Sequence, residues 1–160
     1  MSGAPEFNYT KEQVENLAGI LIKELEEKLK VMVNIPGPQR NFKNTLLAFE
    51  RATSDFDEAL SIPVFMAYVS DNAELRQASQ DLMLRISQYS VDLYTREDIF
   101  NALNEYAAKG EKLGSVEARL LDKTLLDFKR NGLGLEPRPR ARVKKLMKEL
   151  IGLKLEFAKN

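Results

Sequence analysis

Phe128-Lys129-Arg130-Asn131-Gly132-Leu133 reads as the end of one helix and its stop. Before it, Leu121, Leu125 and Phe128 recur at helical spacing with Ala118 and Thr124 on the same side. Ser115 is placed to cap that helix, and Glu117 puts a negative charge in its first turn, where the helix dipole favours one. Gly132 carries no Cβ to oppose the left-handed conformation, and Leu133 can reach back to Phe128, as a Schellman-type stop requires. Leu135-Glu136-Pro137-Arg138-Pro139 reads as an extended connector. From about Arg140 another helix carries Val143, Leu146, Met147, Leu150 and Phe157. It is still amphipathic three residues before Asn160, the pattern of a chain that continues or was cut there.

Working outward, the same grammar recurs. Thr10 with Gln13 three residues on forms a capping box, and Val14, Leu17, Leu21, Leu25, Leu29 and Met32 keep one face apolar. Glu24 to Lys28 and Glu26 to Lys30 set acid before base at four-residue spacing on the wet side. Pro36-Gly37-Pro38 stops this helix by Ile35. A second helix starts with Leu46, Leu47, Phe49 and Ala52 and reaches about Leu60. Ile62-Pro63 predicts a boundary or a kink, with Pro63 as first residue of a short new helix. Its residues Val64, Phe65, Met66, Tyr68 and Val69 are apolar nearly all round, which requires burial on several sides or a cover from outside this chain.

Asp71 with Glu74 opens the next helix, whose stripe runs Leu75, Ala78, Leu82, Ile86, Tyr89 and Leu93. Thr95 followed by Asp98 is either a restart or a bend. Ile99, Leu103 and Tyr106 continue the buried side until a loop from Lys109 to Gly114. No alternating strand pattern and no Asn-Gly hairpin occurs. The expected fold is all-α: six or seven helices in an antiparallel, bundle-like array, with no sheet.

Composition narrows the function classes. The 160 residues balance 24 basic against 24 acidic side chains, so no net charge draws the chain to nucleic acid or an anionic membrane. It has no cysteine and no histidine, which removes disulfide and thiol chemistry and the usual nucleophile–base pairings. No apolar run approaches the roughly 18 residues that span a bilayer. Residues 1–7, Met-Ser-Gly-Ala-Pro-Glu-Phe, read as an expression scar or a disordered start, leaving 8–160 as the folded unit. The basic run Arg138, Arg140, Arg142, Lys144, Lys145 and Lys148 reads as a solvated helix face ahead of a docking surface, since Glu149 and Glu156 interrupt it. Asp55, Asp57 and Glu58, and Asp122 with Asp127, lack the spacing and glycine turn of a calcium loop and read as surface charge. The Phe65-Met66-Ala67-Tyr68 cluster reads as core ahead of a peptide groove.

Several of these segments carry a family likeness. Glu117-Ala118-Arg119, Phe128 through Leu133, Val143-Lys144-Lys145-Leu146 and Leu155-Glu156-Phe157-Ala158-Lys159-Asn160 are similar to the amino-terminal helical region of the thimet oligopeptidase family of zinc metallopeptidases. Ala67-Tyr68-Val69-Ser70 and Tyr94-Thr95-Arg96-Glu97-Asp98-Ile99-Phe100 resemble it in the same order, so the likeness covers roughly residues 8–160. That family binds zinc with a His-Glu-x-x-His helix, which a chain without histidine cannot supply.

The resemblance therefore implies the non-catalytic amino-terminal part of a larger cytoplasmic oligopeptidase. In this reading the chain forms one wall of a channel that admits only short peptides. No catalytic, cofactor-binding or metal residue is assigned here, and zinc belongs to the catalytic part of the parent enzyme. The implied partners are that catalytic domain, in the same polypeptide, and short peptide substrates, with neither nucleic acid nor membrane. An apolar surface should then be exposed where the catalytic part packs. The alternative is a self-standing helical module that binds a protein or peptide.

Overall fold

The computed structural model describes residues 7–158. The scar reading of residues 1–7 therefore falls, Phe7 apart, outside the described residues, as do Lys159 and Asn160. Among the described residues there are six α-helices: α1 (Lys11–Val33), α2 (Leu46–Val69), α3 (Ala73–Tyr94), α4 (Glu97–Ala108), α5 (Ser115–Phe128) and α6 (Pro137–Ala158). No strand occurs among the described residues. The expected all-α array is what the chain forms.

Local chemistry sets most boundaries. Thr10 caps α1 through a reciprocal pair: the Gln13 amide N–H donates to Thr10 Oγ1 at 3.3 Å, and the Thr10 N–H donates to Gln13 Oε1 at 2.8 Å. At the other end α1 stops at Val33, ahead of Pro36. Gly132 takes φ +103° in the wide π-type turn Lys129–Leu133 that ends α5. It is buried, and Arg140 Cγ and Val143 Cγ1 of α6 would lie 3.6 and 3.7 Å from a Cβ there. Glycine is thus required by the backbone conformation more than by lack of space.

Several expected boundaries move. Asn72, not Asp71, caps α3, because its side-chain oxygen accepts the N–H groups of Glu74 and Leu75 at 2.9 and 3.3 Å. Gly114 occupies the cap of α5 and Ser115 is its first residue; Glu117 takes the Gly114 N–H at 2.6 Å. The helix restarts after Thr95, whose hydroxyl donates back to the Val91 carbonyl at 2.7 Å and closes α3. α6 begins at Pro137, since proline at the first helical position gives up an N–H that has no partner there.

The boundary and short new helix expected at Pro63 are absent: α2 runs through it for 24 residues. Pro63 is fully buried, and the carbonyl it cannot serve belongs to Ala59, an exposed position that water can reach. Packing of the ring outweighs one lost hydrogen bond. Past it, the apolar cluster divides, with Met66 and Ala67 buried while Phe65, Tyr68 and Val69 are exposed. The core reading holds for half of that cluster only.

Helices α1, α2 and α3 pack on one another in every pairing, α4 joins α1 and α5, and α6 leans on α3 and on the Gly132 turn. Phe128, the last residue of α5, is fully buried. Its ring centre lies 5.6 Å from that of Phe49 on α2, 5.3 Å from Tyr94 on α3 and 6.0 Å from Phe100 on α4. One aromatic cluster thereby joins four helices.

Candidate functional site

Three polar constructions tie the helices together, and none was visible as a short motif. The first is built on Arg40, between α1 and α2. Its guanidinium is 5% exposed and donates to the carbonyls of Met32 and Val33 at 3.0 and 2.9 Å and to Glu105 Oε2 at 3.1 Å. It thus caps the carbonyl end of α1 with a charge of the right sign and fixes α4 against it. From α4, Lys109 Nζ returns the contact by donating to the carbonyls of Pro38 and Arg40. Glu111 accepts the Phe42 N–H at 2.9 Å.

The second construction joins α1, α3 and α4. Arg96 Nη1 donates to Glu26 Oε2 at 2.6 Å, its Nε and Nη2 hold Asp98 in a fork at 3.0 and 2.6 Å, and Tyr89 donates its hydroxyl proton to Glu26 Oε1 at 2.6 Å. Glu26, on the solvent side as expected, therefore pairs with Arg96 and Tyr89 and not with Lys30, the partner its spacing suggested. Lys28 likewise turns to Asp55 on α2, at 2.7 Å. Tertiary partners win because α2 and α4 bring fixed, opposite charges within reach.

The group borders a depression of about 360 Å³ lined also by Lys23, Glu27 and Lys30. Burial, and then the Glu26 carboxylate, push the Tyr89 hydroxyl far above its ordinary range. The Arg96 hydrogen bonds hold Asp98 below its own against the opposing pull of burial. Both groups move away from neutrality, whereas proton-transfer catalysis needs a group poised near the working pH. This is a rivet between helices.

The third construction holds α6. Lys144 and Lys148 donate to Asp92 at 2.8 and 2.7 Å, and Arg140 pairs with Glu97. Half of the basic run expected to form a solvated face is therefore turned inward against α3 and α4; Lys145 pairs with Glu149 at 3.7 Å along α6 itself, and Arg138 and Arg142 remain exposed. Burial raises the Asp92 carboxyl, but the hydrogen bonds and charges of the two lysines outweigh it and leave it below its ordinary value.

Because folding holds Asp92 below its unfolded pKa of about 3.9, the clamp is complete above that pH and is lost as pH falls through the lower folded value. For these part-exposed pairs, Asp92→Asn is expected to cost on the order of 1 kcal/mol, speeding amide exchange in α6 roughly five-fold at pH 7. Corrected for the intrinsic pH dependence of amide exchange, the protection of α6 should likewise fall in wild type below about pH 4. Unchanged exchange in both cases would show that the ion pairs do not hold α6.

The other residues singled out stay apart. Asp57 is raised by burial, Asp122 and Asp127 are exposed on α5, and among the described residues no three carboxylates gather as a metal ion would need. Nor is any helix there long and apolar enough to cross a membrane.

The apolar face of α6 also divides. Val143, Met147 and Ile151 are half-buried, whereas Leu146, Leu150, Leu153 and Phe157 are 53, 51, 62 and 82% exposed. Among the described residues, no apolar side chain of α6 joins the main core. Sequence spacing marked the whole face as apolar and could not tell which half another helix covers.

No family model matches the chain. It is similar to a thimet-like oligopeptidase of Dictyostelium discoideum, 27% identical over 161 residues, covering 96% of this chain and 24% of that protein. It is also similar to saccharolysin of Saccharomyces cerevisiae, 22% identical across 98% of this chain and 22% of that protein. A probable thimet oligopeptidase of Arabidopsis thaliana is 24% identical across 96% of this chain and 22% of its own length. The likeness thus runs along nearly the whole chain, which spans less than a quarter of the length of these relatives.

Proposed function

We propose, from its relationship to thimet-oligopeptidase-like proteins, that this chain is the amino-terminal helical region of a cytoplasmic zinc endopeptidase acting on short peptides. Its part in that enzyme is structural: it forms one wall of the substrate channel and limits what enters, while cleavage belongs to the remainder of the polypeptide. The observation that carries this reading is the combination of a chain-long likeness to three oligopeptidases with the absence of histidine. A hydrolytic zinc site of the His-Glu-x-x-His type needs two imidazoles that this chain does not possess. Zinc is therefore assigned to the remainder, and the chain's own residues serve to position and exclude.

The test compares two proteins: the 160-residue chain and the complete product of its gene. An internally quenched peptide of about ten residues supplies the readout, with and without a zinc chelator. Chelator-sensitive cleavage by the complete product and none by the chain is the expected result. Metal-dependent cleavage by the chain alone would overturn the assignment of roles. A complete product with no His-Glu-x-x-His segment and no peptidase activity would favour the self-standing binding module, to which exposed Phe65, Tyr68 and Val69 would contribute apolar contacts.

A further inference from the structure

The outer face of α6 carries apolar side chains, Leu146, Leu150, Leu153 and Phe157, that no other described element covers. Val143, Leu146, Leu150, Leu153 and Phe157 follow in steps of three, four, three and four, the a/d spacing of a helix–helix seam. With Met147 and Ile151 they spread over about 160° of the helix circumference at 100° per residue. α3 and the Gly132 turn cover only the Val143, Met147 and Ile151 side. Arg142 and Glu149 flank one side of the uncovered seam with opposite charges, the kind of border that helps fix the register of a partner helix.

The area decides between occupants. Four side chains exposed by half to four-fifths offer about 400 Å², at roughly 150–200 Å² per large apolar side chain. A stable complex between free partners buries about 800 Å² on each, so two copies of this chain joined through α6 would fall well short. A helix of the same polypeptide does not pay the cost of bringing free partners together and can be held by so small a seam.

We infer that the seam Leu146, Leu150, Leu153 and Phe157 is the docking site for an amphipathic helix belonging to the remainder of the longer polypeptide. This rests on the proposed function, whose relatives are more than four times as long as the chain. α6, held to the bundle by Asp92 and Glu97, is then the element through which the helical region is joined to the remainder.

Because the chain has no cysteine, Leu153→Cys gives a clean probe, with Leu146→Cys as a second position and Val31→Cys, on exposed α1 surface, as the reference. Maleimide labelling rates are read by peptide mass spectrometry in the 160-residue chain and in the complete gene product. Both seam thiols should label as fast as the reference in the chain and at least ten-fold more slowly in the complete product. Equal rates in both proteins would overturn the inference, while peptide cleavage by the complete product would leave the proposed function standing. Protection in the chain that grows with its concentration would assign the seam to a second copy and also overturn it. A gene product ending at Asn160 would remove both readings together.

Discussion

The Phe128→Ala protein is expected to lose about 3–5 kcal/mol of folding stability, the cost of emptying a buried aromatic site. The reason lies in where the ring sits. Its neighbours Phe49, Tyr94 and Phe100 come from three different helices, so no single local shift can close the hole. The loss would be a large part of the roughly 5–15 kcal/mol that holds a domain together. At about 2–4 °C per kcal/mol for this size, thermal unfolding should fall by about 10 °C. Phe128→Leu, which keeps most of the volume, should recover more than half of that. A drop under 2 °C for Phe128→Ala would show that the four-helix cluster is not the centre of the core.

Arg40→Ala is the second substitution expected to act strongly, at about 2–4 kcal/mol in urea denaturation, because it removes a buried guanidinium and its three charge-assisted hydrogen bonds together. The Val33 carbonyl loses the guanidinium at the end of α1, the Met32 carbonyl is left with the Ile35 N–H at 3.3 Å, and Glu105 on α4 loses its ion-pair partner. Arg40→Lys tests the geometry separately from the charge. A single ammonium cannot span three acceptors set around a planar fork, so lysine should restore less than half of the loss. Full restoration by lysine would mean that charge alone matters there, and a loss under 0.5 kcal/mol for alanine would show that water replaces the guanidinium.

What could be read from the amino-acid order, and what could not, divides along the distance over which each signal acts. Thr10 with Gln13, Pro36 and Gly132 work within four residues of themselves, and each produced the boundary it predicted. Asp71 and Asn72 are adjacent and equally able to cap; only the backbone path chooses Asn72. Pro63 carried a strong local signal that burial of its ring overruled. Glu26 offered a four-residue pairing with Lys30, but Arg96, seventy positions away, made the better partner. The Arg40, Arg96 and Asp92 constructions were illegible for the same reason, since each depends on a bond between residues at least 56 positions apart, whose approach only the packed helices determine. The apolar face of α6 was legible as a pattern, while its division into a covered and an uncovered half depends on where α3 lies.

The latch across the α1–α2 connection bears on the order of folding. α1, α2 and α3 follow one another in the chain and can meet by closing short loops, the topology of fast-forming helical proteins. The bonds from Arg40 to Glu105, from Lys109 to the Pro38 and Arg40 carbonyls, and from Phe42 to Glu111 instead span 65 to 71 residues. Their entropy of closure must be met before they return anything, so they form after the three-helix hairpins have condensed. Interactions made that late act mainly on the escape from the native state. The latch therefore governs how long the folded bundle lasts, while the speed with which it assembles is set by the helices that precede it.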